Sequence, residues 1–337
     1  MIIHVPNKNI IVPNDPVTST RGVQGWYKME ALKVDADGRV IEKSRRVVAD
    51  WFPNLITNQG LDRLGGDFSN NIFPSCQVGS GTTAPNVNDT GLVSRIAGTS
   101  TAAASPAQGA QPTAPYYGWL RNFYRFATGT AAGNLSEVGV GWGTTGATLY
   151  SRALVLDTLG NPTTVTVLSD EVLDVTYEHR LYPPTDDATN VVNISGTNYT
   201  FTTRAANVTS ASFWTMTGNG SPAGGTHFGL QASPNAVVAY NGSIGAITTQ
   251  PGGTLGSFGS TPTLSAYTPG SYFRDSSVSA GTSAAVLSGG ISAILASYGR
   301  GFSNNGQFQY GISPAIPKLD TQTLTLTFRQ SWARKTI

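Results

Sequence analysis

The chain predicts a mainly β protein built from antiparallel β-sandwich domains, and three observations carry that expectation. Short alternating runs recur at 119–126, 136–140, 149–156, 163–167 and 172–181, each placing its apolar side chains on one face. Turn residues, notably Gly160-Asn161-Pro162, separate the runs, and no amphipathic helix lies between them, which argues against a parallel α/β sheet. Composition is the third: 39% hydrophobic residues in 337 suffice for real cores, and a net charge of +2 with aromatics from Trp26 to Trp332 excludes wholesale disorder.

The first fifty residues hold fourteen of the forty charged side chains and form a compositionally distinct unit. Within it, strand-like runs at 26–34 and 39–48 flank Asp35-Ala36-Asp37-Gly38, a hairpin turn signal. A calcium loop also begins with such aspartates, but Val40 and Ile41 stand where its later ligands belong. At 54–66 the run NLITNQGLDRLGG places Leu55, Ile56, Leu61 and Leu64 at helical spacing and stops at a Gly pair, so one short helix is expected there. Residues 79–116 read as loop-rich, and the Ala, Pro and Gln-rich run 101–115 as a surface excursion or linker. The strand LDVTYEHRL (173–181) has an echo in LTLTFRQSW (324–332), and upstream of each lies an aromatic and arginine pair, Arg125-Phe126 and Phe273-Arg274. That repetition suggests two sandwiches in tandem, although all amphipathic strands look somewhat alike. The apolar run 284–298 fits a helical face and, because Gly289-Gly290 interrupts it, a pair of buried strands nearly as well. The expected organisation is an N-terminal docking arm with a β-hairpin at 1–50, a sandwich at 51–190 and a second, charge-poor sandwich at 191–337.

From Val191 to Gln309 only Arg204, Arg274, Asp275 and Arg300 are charged, and the whole chain is 12% charged where ordinary domains carry about a quarter. A surface of hydroxyls and amides packs against copies of itself at low desolvation cost, since burying bonded neutral groups is cheaper than burying ions. It also suits sugars, and Trp214, Tyr240 and Tyr272 are the rings that would stack on a glycan if exposed. The densest basic run, Lys43, Arg45 and Arg46, sits beside Glu42 and Asp50, which argues against nucleic acid. No signal peptide and no membrane span is read, because the N-terminal apolar run breaks at Pro6 and nothing approaches eighteen uninterrupted apolar residues.

Few residues could carry chemistry. A single cysteine, Cys76, excludes an intrachain disulfide framework and reads as a buried structural thiol. His4, His179 and His227 have no second ligand at helical spacing, so no metal and no cofactor is expected. Glycan cleavage needs two acids across the bond, and Asp174 with Glu178 would share one face of a strand, beside Asp170, Glu171, Asp186 and Asp187. No nucleophile elbow or phosphate loop is present in the sequence, and the Gly-x-Gly fragments, such as Gly79-Ser80-Gly81, follow from glycine content.

Several segments recur in a characteristic order: NLITNQGL (54–61), QVGSGTTAPNVNDTGL (77–92), NLSEVGV (134–140), YSRALVL (150–156), GNPTTVTV (160–167) and PKLDTQTLTLTF (317–328). This succession, spanning about half the chain, resembles tail and tail-fibre proteins of tailed bacteriophages. The resemblance implies a non-enzymatic virion subunit of the tail, as a fibre, tip, baseplate or adaptor, with no catalytic residues to carry over. It implies a homo-oligomer, a trimer above all, in contact with other tail proteins, made in the host cytoplasm and released by lysis. The alternative is a receptor-binding tail protein whose partner is a host-surface polysaccharide, with specificity in the segment from Val191.

Overall fold

The structure is a computed structural model that describes residues 10–11, 15–66, 72–214, 228–299 and 306–335. His4 and His227 lie outside them. The first half supplies β1 (Ile10–Ile11), β2 (Val17–Lys33), β3 (Arg46–Pro53), β4 (Leu55–Ile56), the helix α1 (Asn58–Gly65), β5 (Ser75–Gly79), β6 (Arg95–Thr99), β7 (Ala102–Gln111) and β8 (Tyr117–Phe126). There follow β9 (Gly133–Leu135), β10 (Glu137–Gly141), β11 (Leu149–Leu154), β12 (Val165–Val167) and β13 (Glu171–Tyr182). The charge-poor half adds β14 (Ala188–Ile194), β15 (Thr197–Ala206), β16 (Val237–Tyr240), β17 (Leu255–Ser257), β18 (Thr263–Leu264), β19 (Phe273–Ala280), β20 (Ile291–Ser297), β21 (Gln307–Ile316) and β22 (Leu324–Arg334). The protein is mainly β, and α1 is the one α-helix among the described residues.

A nine-stranded sheet runs in the order β18-β19-β22-β2-β13-β8-β7, with β1 also beside β22 and β3 also beside β2. Two smaller sheets pack on it: β4-β11-β10-β5-β6, and β14-β15-β21-β20-β16-β17. Alternation along β2 fixes the geometry, because Val17, Val23, Tyr27 and Met29 all fall at odd positions and are buried. Val17 belongs to the core under the six-stranded sheet and the other three to the core under the five-stranded sheet, so both sheets cover the same face. One long sheet thus backs two hydrophobic cores.

The N-terminal hairpin turns where expected, but the return run read at 39–48 is not one strand: Val40 bridges Val34, Glu42–Ser44 forms a 3-10 turn, and β3 pairs antiparallel with β2 only from Arg46 to Pro53. Its turn is held by Asp35, whose Oδ1 accepts from the amides of Asp37 and Arg39 at 3.0 and 2.8 Å, and by Gly38 at φ 76°. The turn at Asp157 repeats this chemistry, with Oδ1 accepting from Leu159 and Asn161 at 2.9 Å each and Gly160 at φ 83°. The segment read as an arm is more deeply built in than its composition suggests, since β2 pairs antiparallel with β13 from Gly22 to Lys33 and parallel with β22 from Val17 to Val23. The echoing strands are therefore two of the three strands that pair with β2. Their upstream partners lie beside them, β8 on β13 and β19 on β22, where Arg125 pairs Asp174 and Asp275 pairs Arg329 directly across the register.

Two expectations need correcting or completing. The run 101–115 contains no linker but the edge strand β7, held by backbone pairing to β8, with register shifts between Ala102 and Ala107 that accommodate Pro106. The ambiguous run 284–298 resolves as a turn ending at Gly289 and Gly290, both at positive φ, followed by the single buried strand β20.

Helix α1 starts at Thr57, whose hydroxyl accepts from the Gly60 amide at 3.0 Å and donates to the Leu149 carbonyl at 2.8 Å. Its C-terminal carbonyls take donors from far along the chain: Trp332 Nε1 on Leu61 at 2.9 Å, the Phe228 amide on Leu64 at 3.1 Å, and Arg274 on Gly65 at 3.0 Å. The helix thus fastens the end of the chain to the first core. Thr57→Ala is expected to reduce stability by about 1–2 kcal/mol in urea unfolding, and Thr57→Ser to restore most of it.

Arg21 sits where the two cores meet. Its guanidinium is 4.5 Å from the ring centre of Phe228, of the first core, and 5.7 to 5.9 Å from Trp214, Tyr298 and Phe308, of the second. Burial lowers its pKa to about 9, and Gln330 accepts from Nη2.

Candidate interaction surface

Four of the six segments singled out in the sequence, 54–61, 77–92, 134–140 and 150–156, meet around the exposed loop between β5 and β6. Glu137, on β10, is wholly buried and accepts from the amides of Gly81 at 3.1 Å, Val93 at 3.1 Å and Ser94 at 2.7 Å. Arg152, on neighbouring β11 and 1% exposed, donates through Nε to Glu137 at 2.9 Å. Its other nitrogens reach Asp89 at 2.8 Å and the Thr83 carbonyl at 2.7 Å. A buried ion pair thus closes on a loop of hydroxyls and amides and fixes it. Gly79 and Gly81 are there for space, because a Cβ on either would lie 2.7 or 2.5 Å from Glu137 Oε1. This corrects the reading of that Gly-x-Gly as mere composition. Asn58 and Gln59 of α1 complete the hold, the Asn58 amide donating to Val87 at 2.7 Å and Gln59 to Thr90 at 3.2 Å.

The second feature lies on the uncovered face of the nine-stranded sheet. Glu178, on β13 and 1% exposed, accepts from Arg121 of β8 and from Arg180, each at 2.5 Å. Arg121 lies over Trp119 at 4.4 Å and Trp51 at 5.2 Å, and Arg180 over Trp26 at 4.6 Å and Tyr117 at 4.5 Å. The result is a half-buried layer in which every cation rests on rings and shares one carboxylate. Next to it, Arg125 makes a two-pronged bond to Asp174, 2.7 Å for each contact.

Asp174 and Glu178 share a face, as their spacing predicts, and each is bound by arginine. Glu171 is bound likewise by Arg46, which holds its carboxyl below the usual range.

The three rings proposed for glycan contact are not brought together. Trp214 is wholly buried, its Nε1 donating to the Ala206 carbonyl at 2.8 Å and its ring 5.6 Å from Phe308. Tyr240 is 4% exposed in a small cluster with Ala206, Ala293 and Leu295. Tyr272 is half-buried against the first core, at φ 52°. Trp214 and Tyr240 are therefore core residues and no glycan platform: a half so rich in Ser, Thr and Gly has few large side chains with which to fill its interior. The rings that do reach a surface, Trp26, Trp51 and Trp119, were missed. Reading 119–125 and 174–180 at a period of two would have found Trp119, since it places Trp, Arg, Phe and Arg opposite Arg, Glu, Thr and Asp.

His179 faces inward, wholly buried, its Nε2 bonded to the Tyr150 hydroxyl at 2.7 Å and its ring stacked 5.9 Å from Phe73. Burial lowers its pKa to about 3. Cys76 is buried, and desolvation raises its thiol far above the ordinary range, as befits a structural residue. Among the described residues no group of three or more His, Cys, Asp or Glu is placed to hold a metal ion, and no helix is long and apolar enough to cross a membrane. No protein-family model, curated protein or solved structure matches the chain.

Proposed function

We propose that the chain is a non-enzymatic structural subunit of a bacteriophage tail, which assembles with copies of itself and with other tail proteins. The observation that carries this reading is the convergence of four of the six resembling segments on one exposed loop held by Glu137 and Arg152. Fixing a polar loop with a buried ion pair is costly for stability alone, and it supplies a rigid surface of uncharged donors and acceptors that a neighbouring subunit can meet without reordering it. The layer of Trp26, Trp51, Trp119, Arg121 and Arg180 supports the same reading, because tryptophan and arginine are the residues most enriched in protein contacts. Detecting the chain by mass spectrometry and imaging in purified phage particles, at stoichiometric copy number, is the expected result; its absence from the particles would end the proposal.

A receptor-binding role has one observation of its own. On the outer face of the six-stranded sheet, Thr200, Thr202, Asn241, Ser243, Ser292 and Ser313 line an open hollow of about 390 Å³ that carries no charge. Retention of bacterial surface polysaccharide by the full chain on a glycan array, weakened by Thr202→Val and Asn241→Leu, would favour this role over a purely structural one. The full chain is the right reagent, because β2 and α1 join the two halves.

A further inference from the structure

The edge of β3 that is turned away from β2 borders a trough. Among the described residues β3 pairs with β2 alone, and its other edge faces the segment from Leu156 to Val165. Two hollows lie along it, of about 290 and 410 Å³, and they adjoin, since Asp50, Leu156, Asp157 and Thr158 line both. Together they follow β3 from Val47 to Pro53, a length of roughly 20 Å at the rise of an extended strand. Such a length holds about six residues of extended chain.

The chemistry of the trough is uneven in a way that points to its occupant. Val48, Leu156 and Val165 are half-buried against the first core and give an apolar floor. Val47, 52% exposed, adds an apolar side chain at one end of the lining. The two charged side chains in the lining are both acidic, Asp50 and Asp157, and both are exposed. Bonds from the amides of Asn161, Leu159 and Gly160 lower the Asp157 carboxyl below its ordinary range, so it is anionic at neutral pH. Trp51 closes one end and joins the trough to the arginine and tryptophan layer.

We propose that this trough docks an extended segment of a neighbouring protein chain, apolar residues toward its floor and a basic side chain between Asp50 and Asp157. Charge complementarity selects a basic peptide over an acidic one, and the open strand edge with its apolar floor selects an extended conformation over a helix. The inference deepens the assembly reading by naming the kind of contact, and it is tested without the particle.

The probe is the labelled peptide acetyl-Thr-Val-Lys-Val-Thr-Val-amide, compared by fluorescence anisotropy with the same peptide carrying Glu for Lys. Binding of the Lys peptide at least tenfold tighter than the Glu peptide is expected, with slowed hydrogen exchange at amides 46–53. In the double variant Asp50→Asn, Asp157→Asn the preference is expected to fall below threefold. Asparagine keeps the turn bonds that Asp157 makes, so the variant tests charge and not folding. Equal affinity for the two peptides, protection confined elsewhere, an unchanged preference in the variant, or no binding at millimolar peptide would each overturn the proposal. Any of these would leave the presence of the chain in particles unaffected.

Discussion

Glu137→Ala is expected to lower the unfolding free energy by about 3–5 kcal/mol, the usual cost of leaving one member of a buried ion pair without its partner. Both the loss and its extent follow from the geometry. The substitution removes the acceptor for three loop amides and leaves Arg152, 1% exposed, with only Asp89 and loop carbonyls to offset its charge. Glu137→Gln keeps one acceptor oxygen and the volume, and is expected to cost about half as much. Urea unfolding gives the free energies, and limited proteolysis reports on the loop. New cleavage between residues 80 and 94 at neutral pH is the expected companion of the loss. A change under 1 kcal/mol in Glu137→Ala would mean that the pair contributes little to holding the loop.

Acidification from about pH 7.5 to about pH 5 is expected to cost about 2 kcal/mol through His179 alone. In the unfolded chain the imidazole takes up its proton near 6.5, whereas in the fold it does so only near 3. Between these values the unfolded state binds more protons, so the stability His179 contributes is complete above about 6.5, declines as pH falls through that value, and stops declining near 3. The cause is burial among Phe73, Tyr150 and Tyr177, where a charge is poorly solvated. Nδ1 is buried without a partner, so protonation there creates a charged donor with nothing to receive it. Carboxylates add little in this window, since those with lowered values begin to lose stability only near and below the ordinary range of Asp and Glu. A His179→Gln variant is expected to be less stable at neutral pH and flat between the two pH values; equal slopes for variant and parent would show that His179 is not the sensing group.

Much of the architecture was legible because half-buried strands advertise themselves. In β8, β19 and β22 every second side chain is buried, so the period of two in the sequence maps directly onto the two faces of the sheet. The helix was legible in part: Leu61, Leu64 and the Gly pair supply a buried face and an end, whereas Leu55 and Ile56, read into the same helix, form β4, and Thr57 caps a start at Asn58. Illegible parts depended on partners remote in sequence. Nothing in an Ala, Pro and Gln-rich stretch signals a strand, and β7 exists because β8 offers it a backbone edge. The pairing of Glu137 with Arg152 joins positions on adjacent strands with no local periodicity, although both lie in the recurring segments. Which of the rings are buried was not legible, since polar neighbours in sequence do not show where a ring points: Tyr240 is turned inward on β16, and Trp214 is buried at the end of a turn.

The position of β2 has a consequence for how the protein is made. Its partner β22 lies some three hundred positions downstream, Val17 standing opposite Phe328. During synthesis the margin from Val17 to Val23 stays unzipped until β22 has been made. Completing this sheet is therefore a late, long-range step. A nascent chain in this state exposes seven residues of unpaired strand edge, so chaperone demand during production, and inclusion bodies when translation outpaces it, are expected from the topology.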